Sequence, residues 1–300
     1  MTDQAKRLRG LMENRFHQQT VAEKKKSSAP EPFTHARTIA VTSGKGGVGK
    51  SNLALNLAIG LSRMDLRVCL VDANLGLGNV DLLCGLNGYW NLSHVISGAR
   101  SLTEIMLPGP EGVNVVCGAS GLIDVADCPA SSRDDIFRQL SELEEAHDYL
   151  VIDTGTGIHQ LVRQFVTSAD LALILTTPEP TAIADAYATV KALSSSKTVD
   201  LNIVVNRAES ARQAQAIIER IQQTSQLFLK TDVTAARYIP DDFHVVGAVA
   251  SRTPFLLGSP ECSASQAMMR LARSLKHRVD HRPKRGAFFR SFPAASERAA

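Results

Sequence analysis

Apolar residues in this chain gather into short, nearly uninterrupted runs separated by amphipathic stretches. The runs TIAVTS, RVCLVDA, VNVVCG, YLVIDT, LALILTT and LNIVVN, from residue 38 onward, are rich in β-branched side chains. Runs that are apolar almost throughout predict strands buried on both faces. HVVGAV, around Val245, predicts a further strand of the same kind. Between the runs, segments 50–63, 131–146, 158–168, 181–194 and 210–224 place apolar residues at helical spacing. The alternation predicts an α/β fold: a mostly parallel sheet with helices on both faces. In such sheets ligands bind at the carboxyl ends of the strands.

The ends of the chain follow a different pattern. Residues 1–17 predict one short helix with Leu8, Leu11 and Met12 on a narrow apolar face, within an N-terminal motif segment 1–20. VAEKKKSSAPEPFTHAR, residues 21–37, is polar, basic and proline-bearing, which predicts a flexible linker. By composition alone the whole leader equally suits disorder. A folded domain is expected over 38–280, followed by a basic aromatic tail, 281–300. In that tail Arg282, Lys284, Arg285 and Arg290 surround Phe288, Phe289 and Phe292, a mixture suited to an anionic membrane surface or to a frayed end. Pro283, Gly286 and Pro293 limit any helix there to about two turns.

Composition narrows the class. Three hundred residues with 44% hydrophobic content suffice for one large core, and a net charge of +3 is too small to make nucleic acid the main partner. The five cysteines are scattered and never in CxxC spacing, which argues against a disulfide framework or a cysteine metal site. The opening MTDQAKRLRG lacks the apolar core of a secretory signal. No run approaches the roughly 20 apolar residues of a membrane-spanning helix. A cytoplasmic protein is the expectation.

The chemistry concentrates in GKGGVGKS, residues 44–51, directly behind the first predicted strand. GxxxxGK(S/T) is satisfied by Gly44, Gly49, Lys50 and Ser51. In such a phosphate loop the backbone N–H groups of Gly44, Gly46, Gly47, Val48 and Gly49 turn around phosphate oxygens. Lys50 reaches the β- and γ-phosphates and the Ser51 hydroxyl ligates Mg2+. The following helix, which includes Asn52, aims its N-terminus at the same anion. Asp72 and Asp153 end two other strands, where carboxylates can hold magnesium or its waters. Either one alone could instead cap the next helix. The loop chemistry leaves Lys45 unexplained.

KGGVGKS resembles the deviant Walker A motif of the MinD/ParA/Mrp family of P-loop ATPases. The resemblance implies that Lys45 reaches across an ATP-sandwiched homodimer to the partner's phosphates, offsetting the charge of two opposed nucleotides. VDANLGLGNVDLLCGL resembles the family's switch I, with Asp72, Gly76, Asn79 and Asp81, and DTGTGI resembles switch II. LNIVVNRA, with Asn206 and Arg207, and ARYIPDD, with Ile239, Pro240 and Asp241, resemble adenine-contacting segments. The match covers roughly 38–275 and implies a P-loop NTPase sheet, ATP and Mg2+ as cofactors, and hydrolysis by Lys45, Lys50, Asp72, Asn74 and Asp153. Asn74 stands where MinD has a second aspartate that positions and polarises the attacking water. An amide can orient water but cannot take its proton, so slow turnover is expected.

Branches of the family differ in their attachments. Iron–sulfur carriers and nitrogenase-like reductases need paired cysteines that this chain lacks. Tyrosine-kinase relatives carry a tyrosine-rich tail, whereas Tyr89, Tyr149, Tyr187 and Tyr238 all lie inside the predicted domain. DQAKRLR resembles the DQAxxLR motif of the FlhG (FleN, YlxH) branch, matching at Asp3, Gln4, Ala5, Leu8 and Arg9, and WNLSHVISG resembles that branch after switch I. This implies a regulator of flagellar number whose N-terminal helix stimulates the GTPase FlhF. It also implies a terminal segment that binds anionic membrane once ATP dimerises the protein, two weak anchors acting as one. A flagellar C-ring component or a transcription regulator is a further implied partner. The alternative is a ParA-like DNA-partition or cargo-positioning ATPase. That protein needs a basic patch on its dimer, whereas the basic residues here concentrate in the two tails; steeply salt-dependent DNA binding would favour it.

Overall fold

The protein is described by a computed structural model covering residues 35–74, 80–118, 130–195, 199–281 and 288–289. Its strands are β1 (Arg37–Ser43), β2 (Val68–Ala73), β3 (Leu107–Pro108), β4 (Asn114–Val116), β5 (Tyr149–Thr156), β6 (Leu171–Thr176), β7 (Asp200–Ala208) and β8 (Thr234–Pro240). They form one eight-stranded sheet in the order β3-β4-β2-β5-β1-β6-β7-β8. Every pairing is parallel except the short antiparallel β3–β4 contact at one edge.

The apolar runs became strands because helices cover both of their faces. β1, β2 and β6 are buried at every position. Successive residues point to opposite sides. Ala40, Leu150, Ile152, Ile174 and Ile203 enter one core layer with α5 (Ala130–Ala146), α6 (Gln160–Ser168), α7 (Pro180–Leu193) and α8 (Ala211–Leu229). Ile39, Val41, Val151, Leu173 and Val204 enter the other with α1 (Lys50–Ser62) and α11 (Ser263–Asp280). Helix α1 is buried continuously from Leu53 to Leu61, being held between the sheet and α11. Gly60 permits that approach, because a Cβ there would lie 3.1 Å from Ala272 Cβ. Short helices α2 (Val80–Leu83), α3 (Leu92–Ile96) and α4 (Leu102–Ile105) fill the connection from β2 to β3.

Three sequence expectations are corrected. HVVGAV is not a strand but most of α9 (Phe243–Ala250), with α10 (Phe255–Gly258) close behind. Asp242 starts α9 by accepting a hydrogen bond from His244 N at 3.0 Å, and Phe243 and Val246 face solvent. The strand in this region lies earlier, as β8 at the sheet edge, and α11 is an element that the periodicity reading passed over. The third correction concerns the tail. Phe288 and Phe289 are core residues, both about 1% exposed, and their backbone N–H groups donate to the Glu144 carboxylate at 2.8 Å each. They are not presented to lipid in this fold. Phe292, and Asp3, Gln4, Ala5, Leu8 and Arg9, lie outside the described residues. Among the described residues no helix is long and apolar enough to cross a membrane.

Candidate nucleotide site

The parallel strands β2, β5, β1, β6, β7 and β8 share one carboxyl edge, and the loop 44–49 leaves the sheet from that edge at the end of β1. The loop turns sharply because Gly47 and Gly49 adopt left-handed backbone (φ 77° and 91°), a conformation that only glycine reaches without strain. Gly49 is also crowded: a Cβ there would lie 2.5 Å from Asn206 Nδ2. Asn206, at the end of β7, donates from that same nitrogen to Val48 O at 2.8 Å. One of the predicted adenine-side residues thus braces the phosphate loop. Gly44 is hemmed in on the other side, since its Cβ would lie 2.4 Å from the Asp185 carbonyl oxygen in α7.

Lys50 begins α1 with its side chain buried, and Nζ lies 2.5 Å from Asp153 Oδ1. Ser51 follows in the first turn beside Asp153. Asn52 accepts twice from Asn56 Nδ2, at its carbonyl and its side-chain oxygen, both at 2.8 Å. Asn56 in turn accepts from Leu256 N at 3.0 Å, so this face of α1 is anchored to α10. Asp72 stands directly opposite Asp153 in the β2–β5 register. The two carboxyls therefore share one buried, low-dielectric pocket with a single lysine.

The electrostatics follow from that crowding. Burial, followed by the negative charge of Asp153, pushes the Asp72 carboxyl up to about 6. Hydrogen bonds from Asn74 N (3.1 Å to Oδ1) and Val80 N (3.4 Å to Oδ2) oppose the rise only partly. Burial also raises Asp153 against the pull of Lys50 and Ser51. Asp153 Oδ2, Thr42 Oγ1 and Thr177 Oγ1 are buried with no hydrogen-bond partner among the described residues. Buried polar atoms are normally satisfied. Asp153 Oδ2, left open on the α1 face of the sheet beside a glycine-rich loop and a helix N-terminus, fits a magnesium–phosphate group, whereas Thr42 shares the opposite face with Ala40.

The remaining expected residues converge on the same rim. Arg207 is exposed in left-handed backbone (φ 54°), and Asp241 N donates to Ala208 O at 3.0 Å. Pro240 lies opposite Ala208 in the β7–β8 register, so both predicted adenine segments form one wall. Lys45 has partners different from those of Lys50: its Nζ donates to Glu179 Oε2 at 2.5 Å and to Thr181 Oγ1 at 3.0 Å. Glu179 and Thr181 escaped the sequence reading. Their signal was a carboxylate one residue before a proline, just past the carboxyl end of an apolar run.

A sequence profile described as ParA, NUBPL iron-transfer P-loop NTPase, matches residues 34–276. The chain is a P-loop NTPase of the ParA/MinD family. Among its relatives is the antiactivator FleN of Pseudomonas aeruginosa, 35% identical over 240 residues, spanning 80% of this chain and 86% of that one. The flagellum site-determining protein YlxH of Helicobacter pylori is 35% identical over 187 residues, covering 62% of this chain and 63% of the relative, a little under two thirds of it. The fold matches the MinD cell division protein of Aquifex aeolicus with a TM-score of 0.64 and 25% identity, over 81% of this chain and 97% of that one. This ParA/MinD-family chain therefore has the P-loop sheet its sequence implied, and the resemblance to the FlhG (FleN, YlxH) branch holds.

Proposed function

We propose that the protein is an ATP-dependent dimerising switch that regulates flagellar number and placement. The observation that carries this reading is the pairing of a complete phosphate loop with a second lysine, Lys45, at its rim. The likeness to FleN and YlxH supports the flagellar assignment. In this reading the N–H groups of residues 44–49, Lys50 and Ser51 hold the triphosphate and magnesium. Asp72 and Asp153 hold the metal's waters, and Asn206, Arg207, Pro240 and Asp241 line the base. Bound magnesium would offset charge on the phosphate oxygens during transfer. Asn74 orients the attacking water, and Lys45 turns outward to a second protomer.

The segment around Asp3, Gln4, Ala5, Leu8 and Arg9 then stimulates FlhF from the cytoplasmic side, with hydrolysis returning the dimer to monomer. A C-ring component or a transcription regulator is a further partner of the same switch. Lipid contact by Phe288 and Phe289 does not enter the reading, because both rings sit in the core. The test is the GTPase rate of the cognate FlhF with full-length chain, with residues 1–20 deleted, and with Gln4→Ala. Loss of stimulation in both variants, with ATP binding intact, is expected; stimulation unaffected by the deletion would remove the flagellar assignment and leave the nucleotide switch standing.

A further inference from the structure

Behind the adenine-side wall, the fold gathers three donor types that the sequence keeps apart. Asp242, His244 and Cys262 each place one ligand atom within 4.8 Å of the other two. We propose that they form a binding site for a single thiophilic divalent cation of the zinc class.

The geometry is built rather than incidental. Asp242 closes the start of two helices at once, accepting from His244 N at 3.0 Å in α9, and from Ser263 Oγ at 2.6 Å and Ala264 N at 3.1 Å in α11. That double capping brings residues 242–244 and 262 together. His244 Nδ1 lies 2.8 Å from Asp242 Oδ1, so these two ligand atoms already face each other, and a bound cation would take the place of the proton between them. Cys262 caps α11 itself: its sulfur accepts from Ser265 N at 3.4 Å and lies 3.3 Å from Ser265 Oγ.

Charge and softness decide which ion fits. A carboxylate and a thiolate neutralise a divalent cation, and a neutral imidazole adds a third donor. Sulfur and nitrogen select zinc or cobalt over magnesium. The nucleotide site, with Ser51, Asp72 and Asp153, offers only oxygen and suits magnesium. The two sites would therefore sort metals without competing. Two helix N-termini oppose a bare cation here. Both anionic ligands are consequently required, and losing either should empty the site. His244 is exposed, which leaves a path for the ion and a fourth position for water.

Occupancy would clamp α9 to α11 immediately after Pro240 and Asp241. The site does not depend on the switch reading. The test uses the full chain, reduced and stripped of metal, titrated with Co2+. We expect one equivalent per chain to produce a thiolate-to-cobalt charge-transfer band that Zn2+ abolishes. Cys262→Ser should lose the band, and His244→Ala should weaken Co2+ affinity at least about tenfold. Cys84→Ser should leave it intact. Circular dichroism on each variant separates lost binding from lost folding, and Asp242 is left unchanged because it caps both helices. Absence of the band, its persistence in folded Cys262→Ser, or unchanged affinity in folded His244→Ala would each show a helix-capping network and nothing more.

Discussion

Lys45 Nζ sits 2.5 Å from Glu179 Oε2, so the second lysine of the phosphate loop is engaged inside its own protomer. The hydrogen bond and charge of Lys45 hold the Glu179 carboxyl below its ordinary value. Any reach of Lys45 toward a second protomer must first open this pair. Both side chains are well exposed, which keeps the pair weak and easily exchanged. Glu179→Gln should therefore lower the ATP concentration for half-maximal dimerisation by roughly two- to fivefold, read by light scattering. Lys45→Ala should prevent dimerisation at any ATP concentration. A higher midpoint in Glu179→Gln would mean that the carboxylate assists the dimer instead of restraining the monomer.

Asp72 gives the protein an unusual pH signature. Its folded value of about 6 lies above the ordinary 3.8, so between those values the folded state binds the extra proton. Above pH 6 the buried carboxylate destabilises the fold, and acidification to pH 4 relieves this by about 2 kcal/mol. Magnesium, in contrast, needs the ionised form. Stability of the nucleotide-free protein should rise as pH falls from 7 to 5 in so far as Asp72 controls it, while Mg2+-dependent nucleotide affinity falls. Asp72→Asn should flatten both profiles, leaving a more stable protein at pH 7.5 that no longer responds to magnesium. Denaturant titrations at each pH, alongside nucleotide binding, check the pairing; parallel profiles in wild type and variant would exclude Asp72 as the source.

The Lys50–Asp153 pair is almost wholly buried, with Asp153 inaccessible and Lys50 about 5% exposed. Removing one partner of such a pair strands the other, which typically costs about 3–5 kcal/mol. Burial already raises the Asp153 carboxyl, so protonation limits that loss. Lys50→Met is expected to destabilise the protein by about 2–3 kcal/mol at pH 7.5 and by less at pH 5. The double variant Lys50→Met, Asp153→Asn should recover most of the difference, while neither binds triphosphate. Urea unfolding of the two single variants and the double one gives the coupling energy directly. Additive losses would show that the contact contributes little.

Local chemistry was legible in the sequence and long-range pairing was not. The phosphate loop could be read because its glycines, lysine and serine sit within eight residues, behind an apolar strand. Asp72 and Asp153 could be read because each ends a buried run. The Lys45–Glu179 contact joins positions 134 residues apart, and nothing local marks it. HVVGAV misled because a short β-branched run suits either element. Asp242 capping and the solvent at Val246 decided for helix. The α11 signal was present, with Ala267, Met268, Leu271, Leu275 and Val279 on one face. Phe288 and Phe289 looked amphipathic because composition cannot reveal an acceptor at Glu144.

That acceptor makes the tail contact testable. Glu144 is about 1% exposed and holds the N–H groups of both Phe288 and Phe289. Hydrogen bonds to a charged group contribute about 1.5–3 kcal/mol each. Glu144→Ala should thus lower stability by about 3–6 kcal/mol and open the backbone at Phe288 and Phe289 to protease. Phe288→Ala, which vacates a site stacked near Phe165 at 6.3 Å, should cost about 3–5 kcal/mol. Limited proteolysis with mass mapping distinguishes the two effects. Unchanged cleavage in Glu144→Ala would mean that ring packing alone retains the segment.

Asn74 sets the pace expected of hydrolysis. It follows β2 by one residue, and its N–H donates to Asp72 Oδ1 at 3.1 Å, so its position is tied to the metal-side carboxylate. An amide at that point can hold a water but cannot accept its proton or add negative charge. Phosphoryl transfer relies more on positioning than on a strong base, so the wild-type reaction should be slow but measurable. Asn74→Asp restores the carboxylate and should raise turnover by at least about tenfold, while shortening the lifetime of the ATP-bound dimer. Single-turnover hydrolysis with saturating ATP and magnesium, in the presence of FlhF, separates the chemical step from nucleotide exchange. Equal rates in the two proteins would place the limit elsewhere, in dimer formation or product release, and would leave Asn74 as a positioning residue with no effect on the rate.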